Sequence, residues 1–194
     1  MDIASGCKEA VEVYLKSLKG IIDLIPQDQV WRVIELVCEV GNRGQPIFIM
    51  GNGGSAATAS HFANDLNKGA RKPGKKHFKA LALTDNAPLI TAWANDACYE
   101  ECFVEQLRNI FVPNSLTIGI SASGNSENVI RAIRYASENG GLTAALCGFD
   151  GGRLAPLTDC SVIVPCDHMG RIEDVHMILS HLIADVLRDH PERE

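Results

Sequence analysis

The chain has 194 residues, 46% of them hydrophobic and 22% charged, values near the globular average that exclude a disordered, collagen-like or coiled-coil chain as a whole. That length predicts one domain, and it can bury about 70% of its extended surface without help from a metal or a disulfide. Eighteen Lys and Arg against 24 Asp and Glu leave a net charge of −6, so a protein built to cover phosphate backbone is not expected, and nucleic acid is not a predicted partner.

Over residues 7–24 the apolar positions Val11, Leu15, Leu18, Ile21 and Ile22 recur at three- and four-residue steps, which predicts a helix that Pro26 stops. A second helix is predicted over about 28–40, carried by Val30, Ile34, Leu36 and Val37 and ended by Gly41 and Gly44. The period then changes. Residues 46–50 form a short continuous apolar run between turn residues, the pattern of a strand buried on both faces. Similar runs follow at 79–83, 116–120 and 142–146, with a fifth candidate at 161–165. Helical stretches such as 125–139 lie between most of them, and 172–188 is helical in period.

Such alternation predicts an α/β fold, a parallel five-stranded sheet with helices on both faces. The chain reads as a single domain over 1–194. The first helix has a narrow apolar face and no obvious place on the sheet, so residues 1–25 are read as an N-terminal oligomerisation extension that packs against its copy. Residues 68–79, with five Lys or Arg before Lys79 plus Pro73 and Gly74, read as a surface loop.

Seven cysteines (Cys7, Cys38, Cys98, Cys102, Cys147, Cys160 and Cys166) are an odd number without a C-x-x-C pair, which fits reduced thiols in a cytosolic protein. The N-terminus lacks the pattern of a signal peptide, and no run of 18 apolar residues occurs. A cytoplasmic protein without a membrane partner is expected.

In open α/β sheets ligands sit beyond the carboxyl ends of the strands. After the first strand comes Gly51-Asn-Gly-Gly-Ser-Ala-Ala57, and after the third Ser121-Ala-Ser-Gly-Asn-Ser126, each opening a helix. Three hydroxyls, a glycine and a helix N-terminus can cradle a phosphate, or simply cap and turn. Neither loop has the dinucleotide fingerprint, since residue 56 is Ala, and neither has a Walker lysine. His61 and Asp65 stand one turn apart on the following helix, where they can share a metal or a proton or form a surface ion pair. The last helix adds Glu173, His176 and His181. Glu173 and His181 are eight residues, about 12 Å of rise, apart, so one ion can bind both only if the side chains lean together. Alternatively, the two helices belong to different subunits.

The strings GNGGSAATASHFANDL, AWAND, SASGNS and IEDVHMILSHL resemble, in order and spacing, those of the phosphoheptose isomerases of the sugar isomerase (SIS) domain group. The resemblance covers nearly the whole chain. It implies a single SIS-type domain, a homotetramer with sites at subunit contacts, and interconversion of sedoheptulose 7-phosphate and a heptose 7-phosphate. It further implies that Ser121, Ser123 and Ser126 bind the phosphate, with Asn52, Gly53, Ser55, Asn95 and Asp96 near the sugar. His61, Asp65, Glu173 and His181 would ligate one zinc ion, and Asp65 with His181 would move the proton. Two positions depart from the family pattern, which has Glu where this chain has Asp65 and Gln where it has Glu173.

Aldose–ketose isomerisation needs a base to carry a proton between neighbouring carbons and something to stabilise charge on two enediol oxygens, and a metal ion can supply the second. Two His and two carboxylates are a credible zinc set with room for substrate. Asp65 is one methylene shorter than Glu, so Glu173 is expected to take part of the base role. Lys68 follows the His61 helix, where it can neutralise substrate phosphate, whereas Arg71 reads as a solvated loop residue. His176 reads as a packing histidine, and Trp93 and Tyr99 as core or interface aromatics. The competing readings are a non-catalytic SIS module that binds a sugar phosphate or a protein, and an isomerase of another ketose phosphate.

Overall fold

The computed structural model describes residues 3–71, 73–74 and 77–189, with side chains from Cys7 onward. Five parallel strands, β1 (Pro46–Gly51), β2 (Lys79–Ala82), β3 (Leu116–Ser121), β4 (Leu142–Cys147) and β5 (Cys160–Ile163), form one sheet in the order β2-β1-β3-β4-β5. Among the described residues seven α-helices accompany it: α1 (Ile3–Ile22), α2 (Gln27–Asn42), α3 (Gly54–Asn64), α4 (Ala87–Asp96), α5 (Val104–Ile110), α6 (Glu127–Glu138) and α7 (Met169–Asp189). No described helix is long and apolar enough to cross a membrane, and none of the seven cysteines is in a disulfide.

Successive residues of a strand point to opposite faces, and the strands divide accordingly. Ile47 and Ile49 of β1 join Ile118, Leu146 and Val162 in a core closed by α2, α3 and α7. Phe48 and Met50 face the other way, onto Leu107 of α5 and Val129, Ile130 and Ile133 of α6. Both faces of the sheet are covered, which is why the strands read as unbroken apolar runs.

β1 and β3 are neighbours, but the chain runs from β1 outward to β2 and from β3 outward to β4 and β5. This reversal leaves a crevice beyond the carboxyl ends of β1 and β3, and both glycine- and serine-bearing loops open onto it.

Three local features differ from the sequence reading. Residues 84–115 contain α4 and α5 as well as a turn of 3₁₀ helix at Tyr99–Glu101, all too short for a clear apolar period. The stretch read as a loop from residue 68 begins instead inside a π-helical turn, Asp65–Gly69, where Ala70 N–H bonds to Asp65 O at 2.7 Å. From that turn Asn67 reaches β2, its amide donating to Ala80 O at 2.8 Å and accepting from Ala80 N–H at 3.0 Å. Finally, α1 is two-sided. Ile21 is buried and Tyr14 donates to Asp174 Oδ2 of α7 at 2.5 Å, while Val11, Val13 and Leu15 are 55–60% exposed.

Candidate functional site

Close approach of backbone decides where the first loop runs. A Cβ on Gly51 would lie 2.7 Å from the Ser55 carbonyl oxygen, so only glycine lets α3 begin so near the end of β1. The second loop turns at Gly124, whose φ is +64° and whose missing Cβ leaves room for the Gly151 carbonyl. Gly124 N–H closes the turn onto Ser121 O at 2.9 Å.

Ser123 Oγ accepts from Asn125 N–H at 3.2 Å within this second loop, whereas the hydroxyls of Ser121 and Ser126 are not engaged in capping. Ser126 precedes α6 but makes no side-chain bond to its N–H groups; its Oγ lies 3.0 Å from Ser121 Oγ. Val129 N–H is satisfied by Asn128 Oδ1 at 2.9 Å. Together with the start of α7 the two loops enclose a cavity of about 170 Å³, lined by Asn52, Ser55, Ser121, Ser123, Ser126 and Glu173 among others. Hydroxyl donors at a helix N-terminus, with no lysine or arginine in the lining, suit a phosphate bound through hydrogen bonds and the helix dipole.

Helices α3 and α7 run side by side in the same direction, Gly54 meeting Glu173 at one end and His61 meeting His181 at the other. At the second end His61 Nε2 and His181 Nε2 are 2.8 Å apart, and Asp65 Oδ2 lies 3.3 Å from the first and 3.7 Å from the second. Asp65 Oδ2 is buried without a hydrogen-bond partner. Ligands about 2.0–2.1 Å from a tetrahedral zinc ion are themselves about 3.3 Å apart, close to the mean of these three separations. The donor set, two imidazoles and a carboxylate, and the orphaned oxygen both fit a divalent cation.

Glu173, the expected fourth ligand, does not join this group. Its carboxyl carbon would be 2.5 Å from a Cβ on Gly54, so the second glycine of the Gly53-Gly54 pair is what gives Glu173 its place beside the serines. The two departures from the family pattern therefore lie at opposite ends of one helix seam.

Among the other candidates, Gly53 precedes α3 with φ +55° and is exposed. Asn95 and Asp96 end α4, bonded to each other at 2.8 Å and exposed, away from the cavity lining. Lys68 is exposed on the π-helical turn and Arg71 follows it, also exposed; neither lines the cavity. Trp93 packs against the α5–α6 core. His176 is a packing residue: fully buried, its Nε2 is 3.1 Å from Cys147 O, and burial pulls its pKa down to about 4. Tyr99, read as a core or interface aromatic, is 48% exposed and donates its hydroxyl to Asn52 Oδ1 at 2.7 Å. Asn128 escaped notice altogether, because its partners are 76 and 26 residues away and an Asn in a first helical turn ordinarily signals only a cap.

The chain matches the family model of the SIS domain over residues 13–148. It is 40% identical over 183 residues to the phosphoheptose isomerase of Helicobacter pylori strain Shi470, covering 94% of this chain and 91% of that protein. Among solved structures it is similar to the phosphoheptose isomerase from Neisseria gonorrhoeae, with a TM-score of 0.86, 30% identity, and coverage of 93% and 98% of the two chains. The phosphoheptose isomerase from Francisella tularensis superposes with a TM-score of 0.87 at 23% identity, over 98% of this chain and all of that one, a likeness of fold.

Proposed function

The chain belongs to the SIS-domain family and, within it, to the phosphoheptose isomerases, and on that premise we propose that it interconverts sedoheptulose 7-phosphate and a heptose 7-phosphate along the α3–α7 seam. One observation carries this reading: the serine-lined cavity and the His–Asp group occupy the two ends of the same pair of helices. From Ser55 to His61 is six residues, about 9 Å of helix rise. An extended seven-carbon sugar can reach from a phosphate among the serines to the imidazoles, whereas a triose phosphate is too short.

Ser121, Ser123 and Ser126 hold the phosphate, and Asn52, Gly53 and Ser55 meet the adjoining sugar. Asp65 withdraws and returns the proton at the reacting carbons, and His181 moves the hydroxyl proton. With Asp65 a methylene short of the family's glutamate, Glu173 is assigned part of the base role, which it can take only with its carboxylate displaced along the seam, since it lines the cavity at the serine end. A divalent cation, zinc being the expected one, would be held by His61, His181 and Asp65, with Glu173 reaching it only on a change of side-chain rotamer, and would supply Lewis-acid polarisation of the two substrate oxygens. Lys68, Asn95 and Asp96 are assigned to sugar contacts from an adjacent subunit, since none of them lines this chain's own cavity.

That assignment calls for an oligomer, and the exposed Val11 and Leu15 of α1, on one helix face with Ile22, supply the face for a second copy. The wide apolar groove between α2 and α7, lined by Ile22, Trp31, Ile34 and Leu182, continues it. A homotetramer in the cytoplasm is the proposed working form.

Incubating the purified protein with sedoheptulose 7-phosphate is expected to yield the aldose. Dialysis against a chelator should abolish turnover, and zinc should restore it. Light scattering on the same preparation should give about four times the 21.0 kDa chain mass. No aldose formed by zinc-loaded protein would reject the proposed reaction.

A further inference from the structure

Asn52 is assigned to the sugar, yet most of its hydrogen-bonding capacity is spent inside the protein. Its Nδ2 donates to Asn128 Oδ1 at 2.9 Å, and its Oδ1 accepts from Asn128 Nδ2 at 2.9 Å and from the Tyr99 hydroxyl at 2.7 Å. A side-chain amide offers two N–H donors and one oxygen with two lone pairs. Both lone pairs of Asn52 are occupied, and one N–H remains.

Asn128 is 3% exposed and fully used. Its Nδ2 donates to Asn52 Oδ1 and to Cys102 Sγ at 3.4 Å, and its Oδ1 accepts from Asn52 Nδ2 and from Val129 N–H at 2.9 Å. The backbone N–H of Val129 can only donate, so the atom it meets must be the oxygen of Asn128. That fixes which end of the Asn128 amide is which, and the reciprocal pair then fixes Asn52. The orientation of Asn52 is thus set from the first turn of α6, through a buried relay, with the Tyr99 hydroxyl as a second lock from the 3₁₀ turn.

We infer that Asn128 and Tyr99 are positioning residues that lock the Asn52 amide so that it presents one N–H, and no acceptor, to the sugar phosphate. The inference rests on the assignment of Asn52 to substrate in the proposed function. It explains a selectivity the serines cannot supply alone, because hydroxyls can turn to donate or accept whereas the clamped amide can only donate. The group it meets must be an acceptor, either a phosphate oxygen or a sugar oxygen lone pair. An amide free to flip would spend part of its time offering its oxygen to the ligand's oxygens.

The test is a double-mutant cycle on KM and kcat with sedoheptulose 7-phosphate. Asn52→Ala is expected to raise KM about tenfold, the loss of one hydrogen bond to a charged group. Asn128→Ala should raise KM about fivefold and leave kcat within a factor of two. Combined, the two substitutions should give no more than the Asn52→Ala effect, because Asn128 acts only through Asn52. Multiplying effects would overturn the inference and make Asn128 a packing residue. Tyr99→Phe, at an exposed position where folding is not at risk, should raise KM about threefold in the wild-type background and not at all in Asn52→Ala. An unchanged KM in the wild-type background counts against the lock. Should the wild-type protein prove inactive on this sugar, the proposed reaction fails separately. The clamp is then read from solvent exchange in protein selectively ¹⁵N-labelled at asparagine: a protected Asn52 side-chain proton, the one bonded to Asn128 Oδ1, whose exchange speeds up in Tyr99→Phe supports it, and unaltered exchange refutes it.

Discussion

The two ends of the α3–α7 seam are built on different terms. At the serine end the geometry is held by main chain and by satisfied polar groups: glycines that admit carbonyl oxygens, a turn closed by Gly124 N–H, and an asparagine pair with every lone pair accounted for. At the imidazole end a buried carboxylate oxygen has no hydrogen-bond partner, and two imidazole nitrogens face each other across 2.8 Å. The first end is complete before a ligand arrives, and the second is completed by what it binds. On the proposed function, recognition is thereby stored in the fold, while chemistry is concentrated where the fold is least self-sufficient.

That contrast is broken most directly at the incomplete end. Asp65→Asn keeps the shape and removes the charge, so kcat should fall by roughly 10²–10⁴-fold with little change in KM; equal loss in both parameters would mean that Asp65 binds instead of reacting. At the complete end, Gly124→Ala meets both a left-handed φ and the Gly151 carbonyl. A cost of about 1–3 kcal/mol in urea unfolding and a KM raised by roughly tenfold or more are expected, whereas kcat at saturation should largely survive. Glu173→Gln, also at the serine end, should lower turnover about tenfold while zinc content, measured by atomic emission, stays the same. Unaltered turnover with wild-type metal content would remove Glu173 from the base role.

A last test, read at mildly acidic pH, concerns the packing behind the seam. Burial holds His176 neutral, with its pKa pulled from 6.5 down to about 4, so between those values the unfolded chain binds a proton that the folded chain does not. The stabilisation is fully present above pH 6.5 and is lost as pH falls. It should amount to about 1 kcal/mol lost by pH 5.5 and about 3 near pH 4. His176→Gln should flatten that part of the stability profile in denaturant titrations.

How far the sequence could be read depended on how local each cause was. The five strands and α7 are legible because burial on both faces imposes an apolar run, and packing on the sheet imposes a helical period. The α4–α5 region is not, since its helices have only 10 and 7 residues and α4 has no fully buried residue to set a period. The ordered motifs point to the correct family and gather His61, Asp65 and His181, as found. The position of Glu173 follows from the missing Cβ of Gly54, which becomes informative only once α7 is known to lie against α3. Asn128 is harder still, because a reciprocal amide pair is a property of two loops meeting and leaves no period or spacing in the chain.

The π-helical turn at Asp65–Gly69 has a second effect, on the sheet edge beside it. β2 is one of the two edge strands, and such a strand offers a free main-chain ladder on which a foreign chain can continue. Asn67 occupies the N–H and C=O of Ala80 with its own amide, imitating a neighbouring strand for one residue and stopping the ladder there. The irregular turn that carries Asp65, the proposed base, thus also blunts one open edge of the sheet, so straightening that helix would endanger colloidal behaviour as well as the proposed turnover.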